Sequence, residues 1–414
     1  MLMTKDPETV SAHPVSKGAL PTLLAVMFIN LLGFGIIVPL LPFYAKSFQA
    51  PAWQIALVFS AYSVGAFFGE PFWGRLSDRI GRKPILISTV TGNCLCYLAL
   101  AFAPTVSVAF IVRFLGGMVS GNGSVVQGYI ADVTPPDERT GRMSLLSAAY
   151  NMGFILGPAL GGVLAHPSAG HAGFRIPLLV ASSLSAICAV GLALFLRESR
   201  TRNARFAVQP SRYAVIGQAF RHPTISSLML VTLLGGCAFN GIESVFGFWT
   251  AARFHWGPQQ IGWAFTAVGV SAALCQIFVT GPMSQRYGQA TMLAAGMALT
   301  MVCTALQPLG VGGLTVVPLL ALAAFGQSVA WPNVSALISR HVDWEHQGQF
   351  LGLNNATGSL ARVVGPLLAN LAFSNIAVDA PFFLAGLTVL PAIWIALRAR
   401  RHAPPPLSEH TVTG

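Results

Sequence analysis

The feature that most constrains this chain is a succession of apolar stretches, each long enough to cross a lipid bilayer and parted from the next by a short polar turn. A hydrocarbon core about 30 Å thick requires about 20 helical residues to span it. No water is available there to satisfy backbone N–H and C=O groups, so the segments must be helices. Composition agrees: 54% of the residues are hydrophobic and 9% charged, where soluble domains carry about 25% charged. The pattern predicts an all-α polytopic membrane protein embedded in the lipid bilayer. Twelve transmembrane helices are expected, near 19–44, 54–75, 84–103, 106–132, 142–165, 176–197, 224–250, 259–281, 290–309, 313–340, 348–373 and 381–398.

Charge distribution orients these spans. Lys46, Arg175 and Arg253 fall in odd-numbered connections, Arg113 and Arg362 fall inside spans, and the remaining basic residues lie in the tails and even-numbered connections. Basic loops stay on the cytoplasmic side, so both termini are expected there, in an inner or plasma membrane. The net charge of +11 is thereby explained without a nucleic-acid partner, because it forms no continuous basic face. The six cysteines all sit in apolar segments, where they behave as small hydrophobes. They imply neither a disulfide framework nor a metal site. The polar opening residues read as a tail rather than a cleavable signal.

The longest internal connection, with Arg200, Arg202, Arg205, Arg212 and Arg221, divides the spans into six and six. The expected parts are a cytoplasmic tail at 1–18, a six-helix bundle at 19–197, a cytoplasmic linker at 198–223, a second bundle at 224–398 and a tail at 399–414. A repeat supports the division. Gly74 through Gly81 is echoed by Gly281 through Gly288, 207 residues later, and Gly157-Pro158 by Gly365-Pro366, 208 residues later. Asp137 and Glu345 stand at the same 208-residue offset. Parallel six-helix repeats with a midplane site between them are the architecture this implies.

The run Gly74-Arg75-Leu76-Ser77-Asp78-Arg79-Ile80-Gly81-Arg82-Lys83 is too charged for hydrocarbon and must turn at the membrane surface. It matches G-x-x-x-D-R-x-G-R-K throughout. With Leu32 to Pro42, Arg113-Phe114-Leu115-Gly116-Gly117 and Gly153-Phe154-Ile155-Leu156-Gly157-Pro158-Ala159-Leu160-Gly161-Gly162, it makes the chain resemble the major facilitator superfamily, and within it the twelve-span drug:proton antiporters that include the tetracycline exporters. The resemblance implies two pseudo-symmetric bundles working by alternating access. It also implies a gating latch of Gly74, Asp78, Arg79, Gly81, Arg82 and Asp132, with Asp78 against the positive N-terminal end of span eleven and Arg82 against Asp132. The glycines at 153, 157 and 161 form a smooth helical face next to Pro158, and Gly162 completes the antiporter-type motif. Close helix packing explains the same face equally well.

Charges inside the spans mark the transport chemistry, since each is costly unless paired or wet. Glu243 is the first candidate for a reversible proton carrier, with Glu70 and Arg113 beside it as coupling candidates. A static interhelical pair is the other reading of Glu243, and anchoring the latch is that of Glu70. Arg362 lies where it meets either an anionic substrate group or a structural partner such as Gln276 or Asn333. By resemblance, spans one, four, seven and ten line the cavity. Its candidates are Asn30, Phe34, Asn122, Gln127, Asn240, Phe246, Trp249, Gln327, Trp331 and Asn333, together with Arg362, an apolar pocket with a few hydrogen-bonding groups. The acidic positions of the tetracycline exporters fall on Asn30 and Cys96, neither of which carries a proton as a carboxylate does.

No nucleotide-binding G-x-x-x-x-G-K-[ST] loop is present, and no Ser-His-Asp, Cys-His or metal constellation lies within the spans. An enzyme is not expected, no cofactor is implied, and a proton gradient is the expected energy source. The expected function is proton-coupled export of amphipathic small molecules or drugs, as in multidrug efflux and antibiotic resistance, by a monomer. The alternative is a same-fold importer or dedicated exporter of one anionic metabolite, with Arg113 and Arg362 as its ligands. Neutralising Arg362 separates the two: in a binding assay only the anion transporter loses its substrate, and an efflux protein retains it.

Overall fold

The structure is a computed structural model that describes residues 19–134, 136–199, 217, 221–342 and 347–402. The tail at 1–18, most of the linker 198–223, residues 403–414 of the second tail and Glu345 lie outside the described residues, as does the side chain of Asp137. The first half contains α1 (Ala19–Ile37), α2 (Leu41–Lys46), α3 (Ala52–Ile80), α4 (Arg82–Ala101), α5 (Val106–Met118), α6 (Asn122–Val133), α7 (Pro136–Leu164) and α8 (Arg175–Phe195). The second contains α9 (Pro223–Phe254), α10 (Pro258–Cys275), α11 (Gly281–Tyr287), α12 (Gln289–Leu306), α13 (Gly313–Arg340), α14 (Gln347–Asn375) and α15 (Ala380–His402).

Among the described residues, ten helical stretches are long and apolar enough to cross a membrane, rather than the twelve expected. The two expected spans missing from that set correspond to α3 and α7, each 29 residues long. Two expected spans are also interrupted. The fourth divides between α5 and α6, where Trp73 Nε1 donates to the freed Met118 carbonyl at 2.6 Å and packs its ring against Gly121. The eighth passes through a π-turn at Gln276–Thr280, where the Thr280 hydroxyl donates to Cys275 O at 3.2 Å.

The two halves use the same packing scheme. In the first, α1 packs on α7 and α8, α3 on α5, and α4 on α8; in the second, α9 packs on α14 and α15, α10 on α13, and α12 on α15. The bundles meet through α3 against α14 and α7 against α10. Missing side chains make these approaches possible. A Cβ at Gly157 would lie 2.8 Å from Gly35 Cα on α1, and one at Gly161 would lie 2.3 Å from Ile36 O. Gly162 faces the other bundle, where a Cβ would lie 2.8 Å from Pro258 O. Reciprocally, a Cβ at Gly262 would lie 2.5 Å from Pro158 O. The run 153–162 thus seats α7 on its own bundle and on the partner bundle at once.

The α3–α4 turn is held by backbone geometry and charge. Gly81 has φ +117° and ψ 158°, a region open essentially to glycine alone. The Glu198 carboxylate, just beyond α8, accepts from the Arg82 N–H at 2.8 Å and the Lys83 N–H at 3.1 Å. An anion there satisfies two free donors and the positive end of α4. Gly288 has the matching φ of +83°, but a Cβ there meets nothing within 4 Å.

Two outcomes follow for stability, both read by thermal melting in detergent. Gly157→Val drives a branched side chain into α1 and is expected to cost about 1–3 kcal/mol, as overpacked sites do. Gly81→Ala adds a collision with Glu198 to backbone strain of about 1–3 kcal/mol, so it lowers the melting temperature more than Gly288→Ala. Equal losses at the two turns would discount the Glu198 clamp.

Candidate functional site

The turn between α3 and α4 organises a compact ion cluster within the first bundle. Arg82 is buried. Its Nη1 donates to Ser77 Oγ at 2.6 Å, Nη2 meets Asp78 Oδ1 at 2.9 Å, and Nε donates to Asp132 Oδ2 at 3.1 Å. The guanidinium lies where a side chain at Gly128 would be, 2.6 Å from its Cβ position. Ser199 Oγ donates to Asp132 at 3.4 Å, and Tyr129 OH to Arg197 O at 2.8 Å. The latch candidates therefore knit α3, α4 and α6 to the end of α8. Gly74 sits beside Ser124, and Arg79 is exposed. The partner expected for Asp78, the N-terminal end of span eleven, is the start of α14 at Gln347, and α3 and α14 do pack along each other. Glu198, Ser199 and Gly128 escaped the sequence reading. Only Glu198 offered a signal, as an acid closing an apolar span.

A second polar centre lies where the bundles meet. Arg362 on α14 is exposed and donates from Nη2 to Ser359 Oγ at 3.0 Å. Its charge acts on Glu70 from α3, Tyr150 from α7 and Glu243 from α9. One cation thus lies within electrostatic reach of groups from both halves. Gln276, one partner considered for Arg362, instead accepts from Asn151 at 2.7 Å, tying α7 to the π-turn after α10. Asn333, the other, is buried and donates to Val329 O at 2.8 Å. Tyr150 was not a sequence candidate, and its place next to the glycine run gave no chemical signal.

Glu243 also borders a cavity of about 20 Å³ inside the second bundle, with Phe265 and Val268 of α10, Thr304 of α12, Gln307 and Leu320 of α13. It therefore faces into its own bundle as well as toward Arg362.

The first bundle has a separate interior. Arg113 is 5% exposed; its guanidinium stacks over the Tyr62 ring at 4.7 Å, and its Nε has no partner among the described residues. It interacts electrostatically with Tyr62, Tyr97 and Cys96. Arg113 and Arg362 hence occupy different surroundings. Asn30 Oδ1 accepts from Asn93 at 3.3 Å and from Asn122 at 3.4 Å, joining α1, α4 and α6. Phe34 lies 5.4 Å from Tyr62, ring to ring.

Several expected cavity residues are core residues. Phe246 and Trp249 are 0% exposed, and Asn122 and Asn333 are 1% and 2% exposed. The two rings fill the second bundle: Phe246 packs on Phe265 at 5.7 Å and Trp249 on Phe382 at 4.6 Å. Trp249 Nε1 also donates to Asp379 at 2.6 Å, which pairs with Arg253 at 2.7 Å. Gln127 is exposed, whereas Asn240, Gln327 and Trp331 are half-buried. Asn240 donates to Gly236 O at 2.6 Å, and Trp331 packs against Gly358 of α14.

The Major Facilitator Superfamily profile matches residues 23–257 and 228–413. The chain is 29% identical over 360 residues to the class C tetracycline resistance protein of Escherichia coli, covering 85% of this chain and 89% of that protein. It is 27% identical over 380 residues to the quinolone resistance protein NorA of Staphylococcus aureus (strain MSSA476), covering 91% and 95%. Its fold matches the crystal structure of a bacterial homolog to the human lysosomal transporter Spinster, in an inward-facing and occupied conformation, with a TM-score of 0.75 and 15% identity over 92% of this chain and 96% of that one. Two bundles with one packing scheme, charges gathered where they meet, and a profile match along almost the whole length lead to one conclusion: the chain belongs to the major facilitator superfamily and is a multi-span secondary transporter of small molecules, not an enzyme.

Proposed function

We propose that this protein is a proton-coupled antiporter that exports amphipathic small molecules by alternating access. The observation that carries the reading is that Arg362 lies within electrostatic reach of Glu70, Tyr150 and Glu243 across the two bundles. When both acids are ionised, one guanidinium faces two carboxylates and the centre holds a net negative charge. Protonating Glu243 leaves Arg362 to Glu70 and loosens one tie between the bundles. A cationic or polar amphipathic substrate is favoured by the ionised centre and disfavoured by the protonated one. Proton and substrate then compete, and each biases the bundles toward a different arrangement.

In this reading α3 and α7 complete twelve spans, the tails and the Gly81 turn are cytoplasmic, and the protein works as a monomer in the cell membrane. The Arg82, Asp78 and Asp132 cluster is the cytoplasmic latch. The glycine run of α7 is the surface on which the bundles rock. The names of the relatives support drug export. Tetracycline itself is disfavoured, because Asn30 and Cys96 stand where the acids of the tetracycline exporters align. An anionic metabolite is a weaker reading, since it has to compete with two carboxylates within electrostatic reach of Arg362 while Arg113 is buried against Tyr62.

The test is transport in proteoliposomes under an imposed pH gradient with a panel of cationic amphipathic dyes. Glu243→Gln is expected to reduce gradient-driven transport at least about tenfold, a barrier change of about 1.4 kcal/mol or more, while dye binding stays measurable but weakened, because Gln holds the centre in its neutral form. Gradient-driven transport at the wild-type rate in that variant refutes the assignment.

A further inference from the structure

Glu243 faces two ways: toward Arg362 and Tyr150 at the junction of the bundles, and into the cavity enclosed by α9, α10, α12 and α13. That cavity measures about 20 Å³, room for one water molecule. Thr304 and Gln307 share its wall with Glu243, supplying the polar partners that a buried water needs.

Gln307 is the telling residue. It is 1% exposed, its Nε2 reaches Val316 O only at 3.4 Å, and its Oε1 has no partner among the described residues. A buried acceptor left unsatisfied is costly, and a water donating to the amide removes that cost. Gln307 also opens the short turn Gln307–Leu309, beyond which Val311 and Leu314 are 88% and 95% exposed. It stands near the surface on the side of the molecule that carries Gly257. On that side the bundles are in backbone contact at Gly162, Pro258 and Gly262.

We propose that protons reach Glu243 through the interior of the second bundle, along a water-holding path headed by Gln307, separate from the substrate passage between the bundles. The inference rests on the reading of Glu243 as the proton carrier. The amide oxygen accepts a hydrogen bond from the water and is not itself protonated. The proton passes from solvent through the held water to a Glu243 carboxylate oxygen, and it leaves by the reverse transfer. The ionisable groups that act on Glu243 are Arg362 and Tyr150 from the junction; the cavity wall brings no other. A substrate lodged between the bundles consequently leaves the proton path open, and the path stays available while the Gly257 side of the passage is shut.

Time-resolved infrared spectroscopy of the full chain in lipid nanodiscs after a pH jump tests this without a transported ligand. The carboxylic C=O band lost in Glu243→Gln is the band of Glu243. Gln307→Leu is expected to slow its rise and decay at least about tenfold while preserving its final amplitude, and Thr304→Val is expected to slow it less. A rate within about twofold of wild type in both variants overturns the path. If Gln307→Leu yields no folded protein, Gln307→Met is judged by the same criterion. No band lost in Glu243→Gln instead overturns the carrier reading, so the two failures are distinguishable.

Discussion

Everything in this molecule depends on the high free energy of an ionised side chain surrounded by hydrocarbon. Insertion scales put an arginine or aspartate at the centre of a membrane helix at about 2.5–3.5 kcal/mol. Arg362, Glu70 and Glu243 therefore persist only where they face one another or a wet space. Because they come from α14, α3 and α9, that requirement holds the two bundles to a common junction. Any change in the charge of one member alters how strongly the halves are held together. In the proposed mechanism, electrostatics links proton binding to the relative placement of the bundles without a separate signalling element.

Close backbone packing supplies the complementary half of the design. With no hydrophobic drive between helices in lipid, contact depends on shape, and here shape is made by absent side chains. Gly157 and Gly161 let α7 lie on α1, while Gly162 and Gly262 bring α7 and α10 together. Such a surface offers van der Waals contact with few specific bonds to break. The polar tie identified along it is Asn151 to Gln276. Charge gathered around Arg362 and smooth contact along α7 are thus the two different kinds of contact between the bundles.

The apolar runs, the duplication and the interior charges were legible in the sequence because each is a local or periodic signal. Gly81 and Gly288 take matching positive φ values, as the repeat implied. What could not be read depends on distant partners. The break between α5 and α6 is sustained by Trp73, 45 residues before the carbonyl it caps. Glu198 reaches the start of α4 across 116 residues. Phe246 and Trp249 look like cavity aromatics on α9, and only the placement of Phe265, Phe382 and Asp379 shows that they fill the core. Tyr150 carried no distinguishing chemistry until α14 placed Arg362 near it.

The duplicated halves agree in scaffold and differ in the charged residues of the junction. At the 207- and 208-residue offsets, Glu70 corresponds to Ile277, Arg362 to Phe154, Tyr150 to Gly358 and Glu243 to Gly35. Each member of the junction is thus present in one copy only, and each is matched by an apolar or small residue in the other. The turns diverge in the opposite sense: Gly81 is clamped by Glu198, whereas a Cβ at Gly288 meets nothing within 4 Å among the described residues. A two-fold axis along the membrane normal maps each face onto itself, so difference between the halves does not by itself choose a direction of opening. It settles which half carries which chemistry: the ion clamp belongs to the first half, and Glu243 with its internal cavity to the second.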